Sequence, residues 1–216
     1  MTQLLRKKGL LALIIFASAS ILVMSARPGF SLDASGAPDP MASMKILIDR
    51  ALAILRDPHA SLDEKRRQLH AVARDQFDLP SMARGAMGDH WDSLSASQRT
   101  EYVDAFDAFI EEAYLNKIQD YSGQEITLTS ERMIGPNRAE VDSTVIKAGE
   151  EPFSLNFLVE DQNGIWKIYD FIVDDISTVE NYRAQFKHEI DKEGFEQLMA
   201  VMQQKQRRLA EMLGQK

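Results

Sequence analysis

The chain has 216 residues, with 33 acidic side chains against 25 basic ones and no cysteine. Those totals exclude a disulfide framework and thiol chemistry, and the acidic balance argues against nucleic acid or charge-driven adhesion to anionic lipid. The length suits one ordinary domain plus a targeting segment.

The start reads as a secretory signal. Arg6, Lys7 and Lys8 precede an apolar run from Leu10 to Met24, too short to span a bilayer comfortably. Cleavage after Ala26 makes residues 1–26 a signal peptide. Met24 stands where a small residue is preferred, which leaves an uncleaved inner-membrane anchor as the alternative. Three basic residues leave with the signal, so 22 remain against 33 acidic ones and the mature net charge is −11. Residues 27–42, "RPGFSLDASGAPDPMA", read as a flexible linker, and residues 43–216 as a single domain.

Helical patterns come next. Met44 to Arg56 gathers Leu47, Ala51, Ile54 and Leu55 on one side and stops at Asp57-Pro58. Ser61 and Glu64 have capping-box spacing at the head of a second helix, and Asp78 caps a third that tolerates Pro80 in its first turn. The longest helix is expected from about Ala96 to Tyr121, behind a capping box of Ser95 and Gln98. Tyr102, Phe106, Phe109, Ile110, Ala113 and Ile118 form its apolar stripe, with Asp104, Asp107, Glu111 and Glu112 on the other side. Gly123 suits the left-handed position that ends such a helix.

Four strands are expected at 125–129, 138–147, 152–160 and 165–173, joined by short turns that favour an antiparallel meander. Asn163-Gly164 is the clearest hairpin turn. The strands beside it pose a problem. Phe153, Leu155, Phe157 and Val159 share one face, but the next strand alternates Trp166, Ile168 and Ile172 against Ile165, Tyr169, Phe171 and Val173. Both of its faces are apolar. Two helices close the chain, from Thr178 to about Glu193 and from Phe195 to about Leu213. The predicted architecture is α+β: an antiparallel sheet of four strands, or five, covered on one face by helices with the longest helix foremost.

Reactive constellations are missing. The sequence has no glycine-rich phosphate loop, nucleophile elbow or zinc-protease motif, and its four histidines are scattered without ligand spacing. Asp89-His90-Trp91-Asp92 could supply a carboxylate-oriented base, but a polar helix end beside a buried Trp explains it more simply. Asp170, Asp174 and Asp175 could suggest a cation site, but strand-end aspartates before a capped helix explain them as well. The expected protein is not an enzyme and carries no cofactor or metal. The aromatic stripe taken alone is core packing.

Several segments in order resemble a known family. Gly88 and Trp91 precede the "Ser-x-x-Gln-Arg" helix start at Ser95 to Arg99, and "Tyr-x-Gly-Gln" follows at Tyr121 to Gln124. "Gly-x-Trp-x-x-Tyr-Asp" spans Gly164 to Asp170, and "Ser-x-x-x-x-Tyr-Arg-x-x-Phe" spans Ser177 to Phe186. Each motif is weak alone; their order and spacing resemble the MlaC/toluene-tolerance (Ttg2-type) family over roughly residues 45 to 205.

The resemblance implies a periplasmic protein that shuttles phospholipid, with acyl chains held between sheet and helices as cargo. The partners implied are an outer-membrane MlaA-like lipoprotein complex and an inner-membrane Mla-type ABC transporter with an MCE-domain protein. On this sequence the implied pocket is walled by Tyr102, Phe106, Phe109 and Ile110 of the long helix. Opposite them stand Phe153, Leu155, Phe157, Trp166, Ile168 and Phe171 of the strands, with Phe106, Phe109 and Ile110 facing Phe153, Leu155 and Phe157. A hopanoid-related cargo, or an exported adaptor whose helices fill the interior, are the competing readings.

Overall fold

The computed structural model describes residues 39–115, 121 and 123–212. The expected signal peptide and residues 27–38 of the expected linker lie outside them. Asp39 accepts the Ala42 N–H at 2.7 Å and Pro40 sits in the first turn of helix α1, Pro40–Arg56. The helix thus claims Pro40, Met41 and Ala42, which composition assigned to the linker. Asp-Pro is here a helix start, since proline loses nothing where the N–H has no partner anyway.

Three further caps are built as their spacing requires. Ser61 accepts the Glu64 N–H at the start of α2, Leu62–Gln76, and Asp78 accepts the Ser81 N–H at the start of α3, Leu79–Met87. A 3-10 helix over Gly88–Ser93 leads to α4, Ala96–Leu115. There Ser95 and Gln98 exchange both bonds of the capping box, at 2.9 and 3.3 Å. Residues 116–120, expected to prolong α4, lie outside the described residues, and Tyr121 is not helical.

The sheet follows as an antiparallel meander of β1 (Glu125–Met133), β2 (Arg138–Ile146), β3 (Phe153–Asp161), β4 (Trp166–Val173) and β5 (Ile176–Ser177), in that spatial order. Asn163 and Gly164 both have positive φ, as the two-residue turn between β3 and β4 demands. Asp174 and Asp175 have it too and turn β4 into β5. Helices α5 (Thr178–Glu193) and α6 (Phe195–Met212) complete the chain.

The doubly apolar strand resolves into a single inner face. Leu158 pairs with Asp170 but Val159 pairs with Ile168, so Tyr169 is an extra residue in β4. One extra residue reverses the alternation beyond it. Trp166, Ile168, Phe171 and Val173 therefore all point inward with Phe153, Leu155, Phe157 and Val159, and all are buried. Ile172, expected beside Trp166, falls on the other side and is only half-buried. The outer face is polar: Arg132 pairs with Glu140, and Arg138 with Glu160 while its guanidinium lies 4.8 Å from the Tyr169 ring centre.

Helical cover also differs from expectation. α1 lies against β1 and β2, and α5, α3 and α2 lie against β4, whereas α4 packs chiefly on α6 and α3. α4 is central to the helical layer because it is buried on several sides. Tyr102, Phe106, Ala108 and Ile110 are inaccessible, and so are Glu111 and Glu112, which the charge pattern assigned to solvent. Their burial has partners: His70 Nδ1 lies 2.8 Å from Glu111 Oε2, and Lys205 donates to Glu112 at 3.0 Å.

Candidate functional site

An apolar interior runs between the sheet and the helices, and the ten residues expected to wall a pocket all belong to it. Nine are buried. Phe109 is half-buried, with the Lys205 ammonium 5.6 Å from its ring centre. Apart from Ile110, which is buried on α4, they divide into two groups. Phe153, Leu155, Phe157, Trp166, Ile168 and Phe171 form the inner face of β3 and β4, where Phe157 and Phe171 are directly paired. Tyr102, Phe106 and Phe109 join Tyr182 and Phe186 of α5 in an aromatic group.

That second group shows what the sequence reading missed. The Phe106 ring meets Phe186 edge-on at 6.2 Å, and Phe109 meets Tyr182 at 5.5 Å and Phe186 at 5.8 Å. Tyr182 and Phe186 stand four residues apart, on one face of a helix. That spacing was the available signal, since both are fixed letters of the "Ser-x-x-x-x-Tyr-Arg-x-x-Phe" pattern. Methionines are the other omission: Met44, Met82, Met87, Met199 and Met202 are all buried in the same interior. Flexible and polarisable, they suit a wall that must adapt to its contents.

Tyr102 and Asp170, two polar groups at this interior, are satisfied by the fold. Tyr102 donates its hydroxyl to the Ala83 carbonyl at 3.0 Å, and burial pushes its pKa well above the ordinary phenol value. Asp170 accepts from the Phe171 and Val179 N–H groups and from the Ser177 hydroxyl, which makes it a tie between strand and helix. Asp174 accepts from the Ser154 N–H at 3.3 Å. Among the described residues no three His, Asp or Glu side chains converge as a metal site would need.

The Asp89–Asp92 segment is the 3-10 turn before α4. His90 lies 3.5 Å from Asp191 of α5. Trp91 is half-buried rather than buried, with the Arg99 guanidinium 5.2 Å from its ring centre and Tyr102 edge-on to it at 6.4 Å. A depression of about 540 Å³ also opens between α4 and α6, bounded by Glu101, Asp104, Gln203, Gln206 and Arg207. Long polar side chains dominate its edge, and none of the ten interior residues borders it. No helix among the described residues is long and apolar enough to cross a membrane.

Comparison with known proteins gives the interior a context. The chain is 25% identical over 173 residues to the intermembrane phospholipid transport system binding protein MlaC of Haemophilus influenzae, covering 76% of this chain and 81% of that one. The fold matches that of the phospholipid-binding protein from Ralstonia solanacearum, solved in complex with a phospholipid. The TM-score is 0.67 and the identity 25%, over 79% of this chain and 98% of the other. The family described as MlaC protein matches residues 45–204, well over half of the sequence, and the chain belongs to that family.

Proposed function

We propose that the protein is a periplasmic carrier that hides the acyl chains of a phospholipid between its sheet and its helices. One observation carries the reading: a phospholipid-bound relative shares this fold over nearly its whole length. The inner sheet face of Phe153, Leu155, Phe157, Trp166, Ile168 and Phe171 supports it with apolar wall and no reactive group. Two acyl chains hold roughly 30 methylenes at ~0.8 kcal/mol each, so exposing them to water costs on the order of 24 kcal/mol. A carrier must offset most of that cost and still release the lipid, which burial in an adaptable apolar interior does without bond chemistry.

In this reading the carrier takes and delivers lipid at an outer-membrane MlaA-like lipoprotein complex and at the MCE-domain protein of an inner-membrane Mla-type ABC transporter. Export by residues 1–26 places it between those two membranes.

The test is the protein's own cargo. Protein purified gently from the periplasmic fraction and extracted with organic solvent should give phospholipid near one per chain by mass spectrometry. A hopanoid in its place changes the cargo class. Lipid-free protein that also fails to take up phospholipid from vesicles supports the adaptor reading.

A further inference from the structure

Between α2 and α4 lies a group of charged side chains that lipid binding does not use. From α2 come Arg66, His70 and Arg74; from α4 come Asp107 and Glu111, one turn apart. His70 Nδ1 is 2.8 Å from Glu111 Oε2, and Arg74 is 3.8 Å from Asp107 Oδ2. Among the described residues, buried side-chain atoms without a well-aligned hydrogen-bond partner gather here: Arg66 Nε, His70 Nδ1, Asp107 Oδ1 and Glu111 Oε1, so the His70–Glu111 contact is an ion-pair approach and not an aligned hydrogen bond. Glu111 is only 5% exposed. An incompletely satisfied buried network is costly, so small changes of charge within it have large effects.

α2 buries little of its own surface: Val72 is its single buried residue, with Leu69 packed partly against the core. It lies against α1, where Lys65 donates to the Leu55 carbonyl at 2.7 Å and Arg50 lies 3.6 Å from Asp75. At its C-terminal end Lys167 of β4 donates to the Asp75 carbonyl and Phe77 bridges to Ile168, so the charged cluster is its main tie to α4. We propose that the His70–Arg74–Asp107–Glu111 cluster makes α2 a pH-sensitive strap across α4, closed in mild acid and loosened as the surroundings turn alkaline.

Both titrating partners act in the same sense. Burial, reinforced by Glu111, raises the Asp107 pKa from 3.8 to about 6. The closed form therefore keeps a proton that a solvated Asp107 loses, and closure weakens as pH rises through that window. The Glu111 carboxylate 2.8 Å from its Nδ1 raises the His70 pKa above 6.5. Its contribution is complete below 6.5 and is lost as pH climbs through the raised value. At high pH two carboxylates face each other, with a neutral imidazole and Arg74 beside them. Asp104 adds repulsion from the same helix. Two neighbouring pairs hold their own partners: Asp63 keeps Arg66 Nη1 at 3.0 Å, and Glu112 is engaged by Lys205 of α6.

Hydrogen exchange read by mass spectrometry on the full mature chain tests this directly, with exchange times scaled for the chemical rate at each pH. Asp107 alone should reduce the protection of α2 amides on the order of tenfold between pH 5 and pH 8, with His70 adding to the loss. The amides of α5 should hold their protection over the same range. Asp107→Asn should remove most of the loss. His70→Gln, needed if that variant does not fold, should flatten the part above pH 6.5. Loss of protection in α2 and α5 together, a flat α2 profile, or a full loss retained in a folded variant overturns the strap.

Discussion

Asp170 accepts the backbone N–H of Val179 at 3.0 Å, and this bond ties the bulged strand β4 to the first turn of α5. The same carboxylate accepts the Phe171 N–H at 2.8 Å and the Ser177 hydroxyl, so one buried side chain answers three donors. Two of those donors lie at a helix N-terminus, where the backbone has N–H groups to spare and favours negative charge.

Asp170→Ala should destabilise the fold by roughly 2–3 kcal/mol, because it leaves buried N–H groups unpaired. Asp170→Asn keeps one acceptor oxygen and should cost about half as much. Burial holds the Asp170 carboxyl above its ordinary pKa of 3.8. The folded state then keeps a proton the unfolded chain gives up, so this group's contribution falls as pH rises from 3.8 through the folded value. Urea titrations at several pH values should show that slope in the wild type and its loss in Asp170→Asn.

Gly85 of α3 stands directly against Val179 of α5. A Cβ built there would stand 2.7 Å from Val179 Cγ1, and Val179 is itself buried. Helix propensity favours alanine by roughly 1 kcal/mol, but forcing apart a packed contact costs about 1–3 kcal/mol. Packing should win. Gly85→Ala should lower the melting temperature by several degrees, and adding Val179→Ala should restore part of it. If Gly85→Ala raises the melting temperature alone, the two helices are not held this closely.

Local signals were legible where short-range chemistry decides them. Ser61 and Ser95 each cap a helix as their spacing with Glu64 and Gln98 implied. Asn163-Gly164 turns where it should, because few residue pairs accept two positive φ values. The Tyr169 bulge was not legible, since an extra residue leaves no mark except a broken alternation that resembles a strand buried on both sides. Glu111 and Glu112 were misplaced for a related reason. Periodicity sorts charge from apolar side chains, but cannot see His70 and Lys205 arriving from other helices to receive them. The interior of the candidate site could be read from residue type, whereas the aromatic group shared by α4 and α5 depended on packing between distant segments.

Deleting Tyr169 should expose how much of the interior depends on the bulge. Removal leaves Ile168 and Phe171 two apart, so strict alternation keeps Trp166, Ile168, Phe171 and Val173 on the inner face. What the deletion loses is the Tyr169 ring beside Arg138 and the local bend of the bulge. The deletion variant should therefore fold and keep its near-ultraviolet circular dichroism, with a melting temperature lower by a few degrees, while Tyr169→Thr keeps the bulge and loses only the ring. A deletion variant that unfolds would mean that the bend at Tyr169, and not side-chain register alone, holds the inner face together.

Polar substitutions within the interior can separate a lipid-facing wall from solid core. Leu155 on β3 is 2% exposed, and Phe109 on α4 is half-buried beside Lys205. In solid core an asparagine at either position is buried without a partner, at roughly 2 kcal/mol or more beyond the lost apolar contact. Where acyl chains form the opposing surface, the amide can be hydrated once the lipid leaves, and the loss falls on binding. Leu155→Asn and Phe109→Asn should therefore fold, carry less than a tenth of the wild-type phospholipid and fail to exchange it with vesicles. Met82→Asn supplies the contrast, because Met82 is wholly buried in α3 and should lose stability outright. Circular dichroism and bound-lipid content, measured on the same samples, decide between the two cases. Unfolded Leu155→Asn and Phe109→Asn proteins, or folded ones with a full lipid load, would move the pocket away from β3 and α4.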